Sequence, residues 1–257
     1  MKATTIAITR RVSPAIAQCE LTHLERIPVD YDTALAQHDQ YEACLSHLHC
    51  EVWSLPAESD LPDSVFVEDA AVVLDDLAVI TRPGSAIRQR ETTSIADALE
   101  PYRRLVHIDP PGTLDGGDVL RIGQALFVGD SSRSNAAGIE QLRRLTAPSG
   151  FEVTAVPING CLHLKSAVSV VASDTILLNP RWVSAGAFGE MSTIDIDPAE
   201  PMAANALLVN GTVIYPEEFA RTRQRLIERG LIVRTVDASE LGKAEGGVTC
   251  CSLIFRI

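Results

Sequence analysis

No apolar run in this chain approaches the ~18–20 residues of a membrane span, so no membrane partner is expected. The first ten residues (MKATTIAITR) are too polar for a secretory signal and read as a strand. Basic charge is scarce. Lys and Arg number 22 against 34 Asp and Glu, a formal net charge of −12, which is the wrong balance for a nucleic-acid partner. It suits a cationic small molecule, although bulk charge steers without specifying. Aromatics are few, at 5%, but 46% of the residues are hydrophobic, enough for a large core. No linker or low-complexity segment interrupts the chain, and residues 1–257 are expected to form a single domain. Six cysteines without a signal peptide point to reduced thiols and a cytoplasmic location.

What the chain has instead is a repeat. Four segments, 66–81, 118–128, 163–178 and 204–215, each read as an apolar run, a short polar turn and a second apolar run, which is a hairpin signal. Their openings, near Asp69, Asp118, Lys165 and Asn205, recur every ~40–50 residues, and the stretch around Cys250 supplies a fifth. Its strand partner can only be the N-terminal strand, residues 5–9, which closes a ring. Between hairpins, helical periodicity at 33–48, 91–104, 134–147 and 216–229 leads into short strands. In the third repeat the helix, about 183–191, is poorly marked. The unit is strand-strand-helix-strand, five times over: an α/β fold with pseudo-fivefold symmetry.

If the repeats ring an axis, their opening ends meet near it, and those ends are unusually polar. They carry Asp63, Glu68 and Asp69, then Asp115 and Asp118, His163, Asn205 and Cys250. Buried carboxylates cost several kcal/mol unless paired, so function explains them better than a sheet edge does. Read with period two, Cys251, Leu253 and Phe255 share a core face, leaving Cys250 on the more polar one, just after Gly246 and Gly247. Cys250 is thus a candidate nucleophile beside the alternative of two buried structural cysteines. His163 alone among six histidines opens a hairpin, at the position matching Cys250. Glu68 and Asp69 interrupt an apolar run, where a solvated turn seldom sits. Asp115 reads either as functional or as part of an Asp-Gly turn. A rival group, Cys44, His47, His49 and Cys50, has metal-like spacing. Its members crowd one helix end and strand start, so no metal site is expected there.

Six segments together resemble the dimethylarginine dimethylaminohydrolase family of the guanidine-modifying, or pentein, superfamily. They are LPDSVFVEDAAVV (61–73), ITRPGSAIR (80–88), TLDGGDVL (113–120), FVGDSSRSN (127–135), CLHLKSA (161–167) and TCCSL (249–253). The resemblance implies a five-bladed propeller of ββαβ units, in agreement with the repeat. It implies Cys250 as nucleophile, His163 as general acid and base, and Asp115 as its orienting acid. It further implies Glu68 and Asp69 on the substrate guanidinium with Asp63 close by, and Arg88 and Arg133 on the α-carboxylate. The second arginine motif usually reads S-x-R-T-N, and Ser134 stands here for Thr. Residues 12–23 do not match the gating loop of the best-known members.

The chemistry so implied is hydrolysis of Nω-methylated arginine to citrulline and an alkylamine through a covalent S-thiouronium, with no metal or organic cofactor. Carboxylates hold the guanidinium flat, a thiolate adds to its carbon, and a histidine moves the protons. The partner is a cationic guanidino amino acid, and a homodimer is an open alternative. Competing readings are deimination of arginine or a related guanidino or ureido acid, and a non-catalytic propeller serving as a binding module.

Overall fold

The computed structural model describes residues 4–257. In chain order the strands are β1 (Thr5–Arg10), β2 (Cys50–Leu55), β3 (Ala71–Val73), β4 (Leu77–Ile80), β5 (Arg104–His107), β6 (Val119–Ile122), β7 (Ala125–Asp130) and β8 (Glu152–Pro157). There follow β9 (Val168–Ala172), β10 (Thr175–Leu178), β11 (Ser192–Asp195), β12 (Leu207–Val209), β13 (Thr212–Pro216), β14 (Val233–Val236) and β15 (Leu253–Arg256). The helices are α1 (Tyr31–His47), α2 (Thr92–Leu99), α3 (Ala136–Thr146), α4 (Leu164–Ala167), α5 (Ala220–Glu228) and α6 (Ser239–Gly242).

These strands make five three-stranded sheets, ordered β3-β4-β5, β6-β7-β8, β9-β10-β11, β12-β13-β14 and β15-β1-β2. Each combines an antiparallel pair, a hairpin in the first four, with a parallel third strand. The last sheet joins the two ends of the chain, with Thr5 opposite Arg256 and Ile8 opposite Leu253. The ring therefore closes as the repeat requires, and the fold is a five-bladed α/β propeller. The first strand of every blade, β3, β6, β9, β12 and β15, lines one axial channel of about 390 Å³.

Local chemistry sets the helices. Asp30 caps α1 by accepting from Thr33 N at 2.7 Å, and α1 buries Ala34, Gln37, His38, Tyr41 and Leu45 on one face. Asn135 caps α3 by accepting from Gly138 N at 2.8 Å. The periodicity starting at 216 overshoots: α5 begins at Ala220, because Pro216 sits opposite Val236 in the sheet and Glu217 N donates to Val236 O. The expected third-blade helix is a single 3₁₀ turn, Ala185–Phe188, followed by Gly189 at φ +67°.

The larger difference lies at the blade openings, which the hairpin pattern reads as strands. Val67–Ala70 and Gly116–Asp118 are 3₁₀ turns, residues 164–167 form the single turn α4, and residues 248–251 form a turn before β15. The chain must bend there to cap one end of the channel, and tertiary bonds hold the bend. Glu68 N donates to Cys250 O at 3.1 Å and Gly117 N to Asp69 Oδ1 at 2.9 Å. Cys250 is thus presented by a turn, while Cys251, Leu253 and Phe255 are core as expected. No helix among the described residues is long and apolar enough to cross a membrane.

Candidate active site

At the capped end of the channel the turns converge on a small cavity of about 20 Å³. Its walls include Cys250, His163, Asp69, Asp63, Arg88 and Arg133. Asp115 stands behind His163: His163 Nε2 lies 3.0 Å from Asp115 Oδ2, and both side chains are buried. The other ring nitrogen, Nδ1, is 3.8 Å from Asp69 Oδ1. Gly117 makes this approach physically feasible. A Cβ there would sit 2.6 Å from Asp69 Oδ1 and 2.7 Å from His163 Nδ1.

Burial pulls the His163 imidazolium down, but the charge of Asp69, the bond to Asp115 and the charge of Asp118 outweigh it and carry its pKa up to about 9. Burial pushes the Asp69 carboxyl up, yet the charges of His163 and Arg88 with their hydrogen-bonding support hold it well below the usual carboxylate range. Cys250 is half-buried and its Sγ accepts from Gly247 N at 3.3 Å. Burial, then Glu68 and Asp69, push its thiol up to about 12. Before substrate binds, the pair at neutral pH is therefore a thiol and an imidazolium.

Two expected residues occupy less expected places. Glu68 turns toward the axial channel, where Lys165 Nζ lies 2.5 Å from its Oε1 and Thr249 Oγ1 donates to its Oε2 at 2.8 Å. Arg88 lines the cavity but is buried and heavily engaged. It donates from Nη1 to Asp69 at 2.6 Å, from Nε and Nη2 to Glu91, and from Nη2 to the Asp63 and Phe66 carbonyls. Arg133 is differently placed, with Nη1 3.2 Å from Glu20 Oε2 and Nη2 3.1 Å from Thr22 Oγ1.

Sequence reasoning named Asp118 at a blade opening and Ser134 in the arginine motif without giving either its supporting role, and it passed over Glu91 and the contacts of Glu245. Ser134 donates to Asp118 Oδ2 at 2.6 Å and accepts from Asp115 N at 3.1 Å, so a serine hydroxyl does what this position needs. Asp118 also accepts from Leu164 N at 2.9 Å, fixing the turn that begins at His163. Glu91 was detectable as an i,i+3 partner of Arg88. Glu245, at φ +59°, accepts from the backbone N–H groups of Thr22, His23 and Leu24, a contact with no local signal. The metal-like group is split: Cys44 and Cys50 turn inward while His47 and His49 are exposed. Beyond Cys250, a second and largely apolar cavity of about 320 Å³ runs past Leu24, Ile27, Met202 and Phe219.

A five-bladed propeller with cysteine, histidine and carboxylates gathered at one end of its axis has the architecture of the pentein superfamily. Comparison with known proteins narrows the class. Residues 57–207 match the arginine deiminase family model. An N(G),N(G)-dimethylarginine dimethylaminohydrolase of Streptomyces coelicolor is 39% identical, over 97% of this chain and 96% of that protein. The crystallised Pseudomonas aeruginosa enzyme of the same name, a cysteine-to-serine mutant in complex with citrulline, superposes with a TM-score of 0.93 at 33% identity, covering 97% of this chain and 98% of that one. A dimethylarginine dimethylaminohydrolase captured as an adduct with S-methyl-L-thiocitrulline superposes at 0.92, again 33% identical over 97% and 98% of the two chains. The chain belongs to the dimethylarginine dimethylaminohydrolase family.

Proposed function

We propose that this protein hydrolyses the guanidinium C–N bond of Nω-methylated L-arginine, releasing L-citrulline and an alkylamine. The observation that carries the reading is one cavity onto which Cys250, Asp69 and an Asp115-held His163 all open. Asp69, ionised and aimed by Arg88 and Gly117 N, holds the guanidinium, with Asp63 beside it. Arg133 reads the α-carboxylate. The guanidinium brings a positive charge next to Cys250, which favours thiolate over thiol. The thiolate adds to the guanidinium carbon, and His163, charged at neutral pH, protonates the departing amine. What remains is an S-thiouronium on Cys250. The now neutral His163 takes a proton from water, hydroxide adds to the same carbon, and the C–S bond breaks to give the ureido product. Asp115 keeps the imidazole oriented through both transfers. Water and these side chains complete the cycle. The pairing of β1 with β15, which seals the ring, supports treating residues 1–257 as one domain.

The test is release of citrulline and amine from a panel of arginine, monomethyl- and asymmetric dimethylarginine, hydroxyarginine and agmatine. The methylated arginines should lead. The match to the arginine deiminase family favours one specific alternative, ammonia from arginine itself. Arginine outpacing its methylated forms would select that alternative, and no citrulline from any of them would overturn both.

A further inference from the structure

The small cavity beside the candidate nucleophile is walled in part by a carboxylate of the chain itself. Residues 19–24 lie across the site, tied down at three points. Asp63 Oδ2 accepts from Glu20 N at 3.1 Å, Glu245 accepts from the N–H groups of residues 22 to 24, and Arg133 bonds Glu20 and Thr22. Beneath them about 20 Å³ remains, far less than an arginine side chain fills, while the other side of Cys250 borders the apolar cavity of about 320 Å³; the space beside Arg133 widens only if this segment shifts. Of the two cavity arginines, Arg88 is the more heavily engaged: two carboxylates and two backbone carbonyls take up Nε, Nη2 and one of the two Nη1 N–H groups. Arg133 is therefore the more available cation for an anion entering the cavity. That guanidinium, whose side chain is only 12% exposed, already carries Glu20.

We propose that Glu20 is a specificity-determining residue, an internal carboxylate that occupies Arg133 and is exchanged for the α-carboxylate of the substrate. This rests on the reading of Arg133 given above. The exchange conserves charge. One carboxylate leaves Arg133 for solvent as another arrives, and the cation is never left unpaired in a half-buried site. A guanidine without a carboxylate offers nothing to put in Glu20's place. The same contact that narrows the site thus selects what widens it. The apparent affinity for substrate is lowered by the fraction of molecules in which Glu20 still holds Arg133.

The experiment is a double-mutant cycle with Glu20→Gln and Arg133→Ala, read as KM and kcat for asymmetric dimethylarginine. A parallel readout is the dissociation constant of citrulline by calorimetry, which needs no turnover. Glu20→Gln should lower both KM and the citrulline constant about two- to fivefold, the scale of a partly screened ion pair. On the Arg133→Ala background the same substitution should change neither. A KM that rises in Glu20→Gln would mean that Glu20 holds the substrate ammonium and would overturn the proposal. So would an unchanged KM, or an equal fall on both backgrounds. Failure of the hydrolase reading shows separately, as wild-type protein that binds citrulline but releases none from methylated arginine.

Discussion

Arg88 Nη1 donates to Asp69 Oδ2 at 2.6 Å in the interior of the protein. The bond ties the carboxylate proposed to hold substrate to a cation whose other donors serve Glu91 and backbone carbonyls. Arg88 is therefore a structural support of the pocket before it is anything else. Removing one member of a buried pair typically costs about 3–5 kcal/mol, because the partner stays buried without its counter-charge. Arg88→Ala should lower the melting temperature by about 6–20 °C, at roughly 2–4 °C per kcal/mol for a chain of this size. Arg133→Ala, whose partners sit nearer the surface, should melt close to wild type and raise KM. Calorimetric scans of the two variants check this. Equal melting temperatures would remove the structural role of Arg88.

Cys250 and Cys251 should separate cleanly. Cys250→Ser is expected to abolish turnover, since a serine hydroxyl in this environment stays protonated. Cys251 is 3% exposed and its Sγ donates to Gly247 O at 3.5 Å. Cys251→Ser should keep most of the activity at a modest loss of stability. Citrulline release from both variants, with mass spectrometry for an adduct on the thiol, decides the assignment. Two active variants would disprove it.

Asp118 touches neither the cavity nor the thiol, yet it fixes the turn that carries His163 and shares Ser134 with Asp115. In the proposed mechanism it is a positioning residue. Asp118→Asn places an amide where three donors point, and should lower kcat about tenfold or more. Because the charge of Asp118 helps to raise the His163 pKa, its loss should also move the histidine's titration downward, a change that a merely structural defect would not produce. Ser134→Thr, which keeps the hydroxyl, should retain the activity that Ser134→Ala loses. A kcat within twofold of wild type in Asp118→Asn would end this role.

The pH profile follows from the two raised values. The proposed mechanism needs Cys250 as thiolate and His163 as imidazolium, one proton fewer than the resting thiol and imidazolium. kcat/KM should therefore rise about tenfold per pH unit through the neutral range and level off near 9, where the free enzyme's own proton loss from His163 matches that count. kcat, measured with the cationic substrate already beside the thiol, should reach its plateau at lower pH. A kcat/KM that is flat from pH 6 to 9 would mean that the resting enzyme already holds a thiolate–imidazolium pair.

Much of this architecture was legible in the sequence because it is periodic. The hairpins, four helices and the closing partnership of residues 5–9 with the Cys250 stretch all appear as patterns of apolar spacing. The turns at Val67–Ala70 and before β15 did not. The residues that flank them are apolar enough to pass for strand, and bonds from distant blades hold the bends, such as Glu68 N to Cys250 O. The candidates that now line one cavity, Asp63, Asp69, Arg88, Arg133, His163 and Cys250, could be named from the sequence, but not their orientation. Nothing local distinguishes Glu68, which faces Lys165 across the channel, from its neighbour Asp69, which faces His163. Glu20 and Glu245 carried no signal, since their partners lie more than a hundred residues away in the chain.

The seal between β1 and β15 also governs when the protein becomes reactive. Cys250 sits in the turn that enters β15, and β15 is held in the ring by hydrogen bonds to the strand at the opposite end of the chain. Bringing these two together closes a loop of almost the whole polypeptide, the slowest kind of contact to form by chain diffusion. Until it forms, Asp69, His163 and Asp115 can be folded in their own blades with no thiol before them. Chemical competence in this fold is thus tied to topological completion: the turn that carries the thiol is anchored before His163 and Asp69 by the same strand that joins the two ends of the ring.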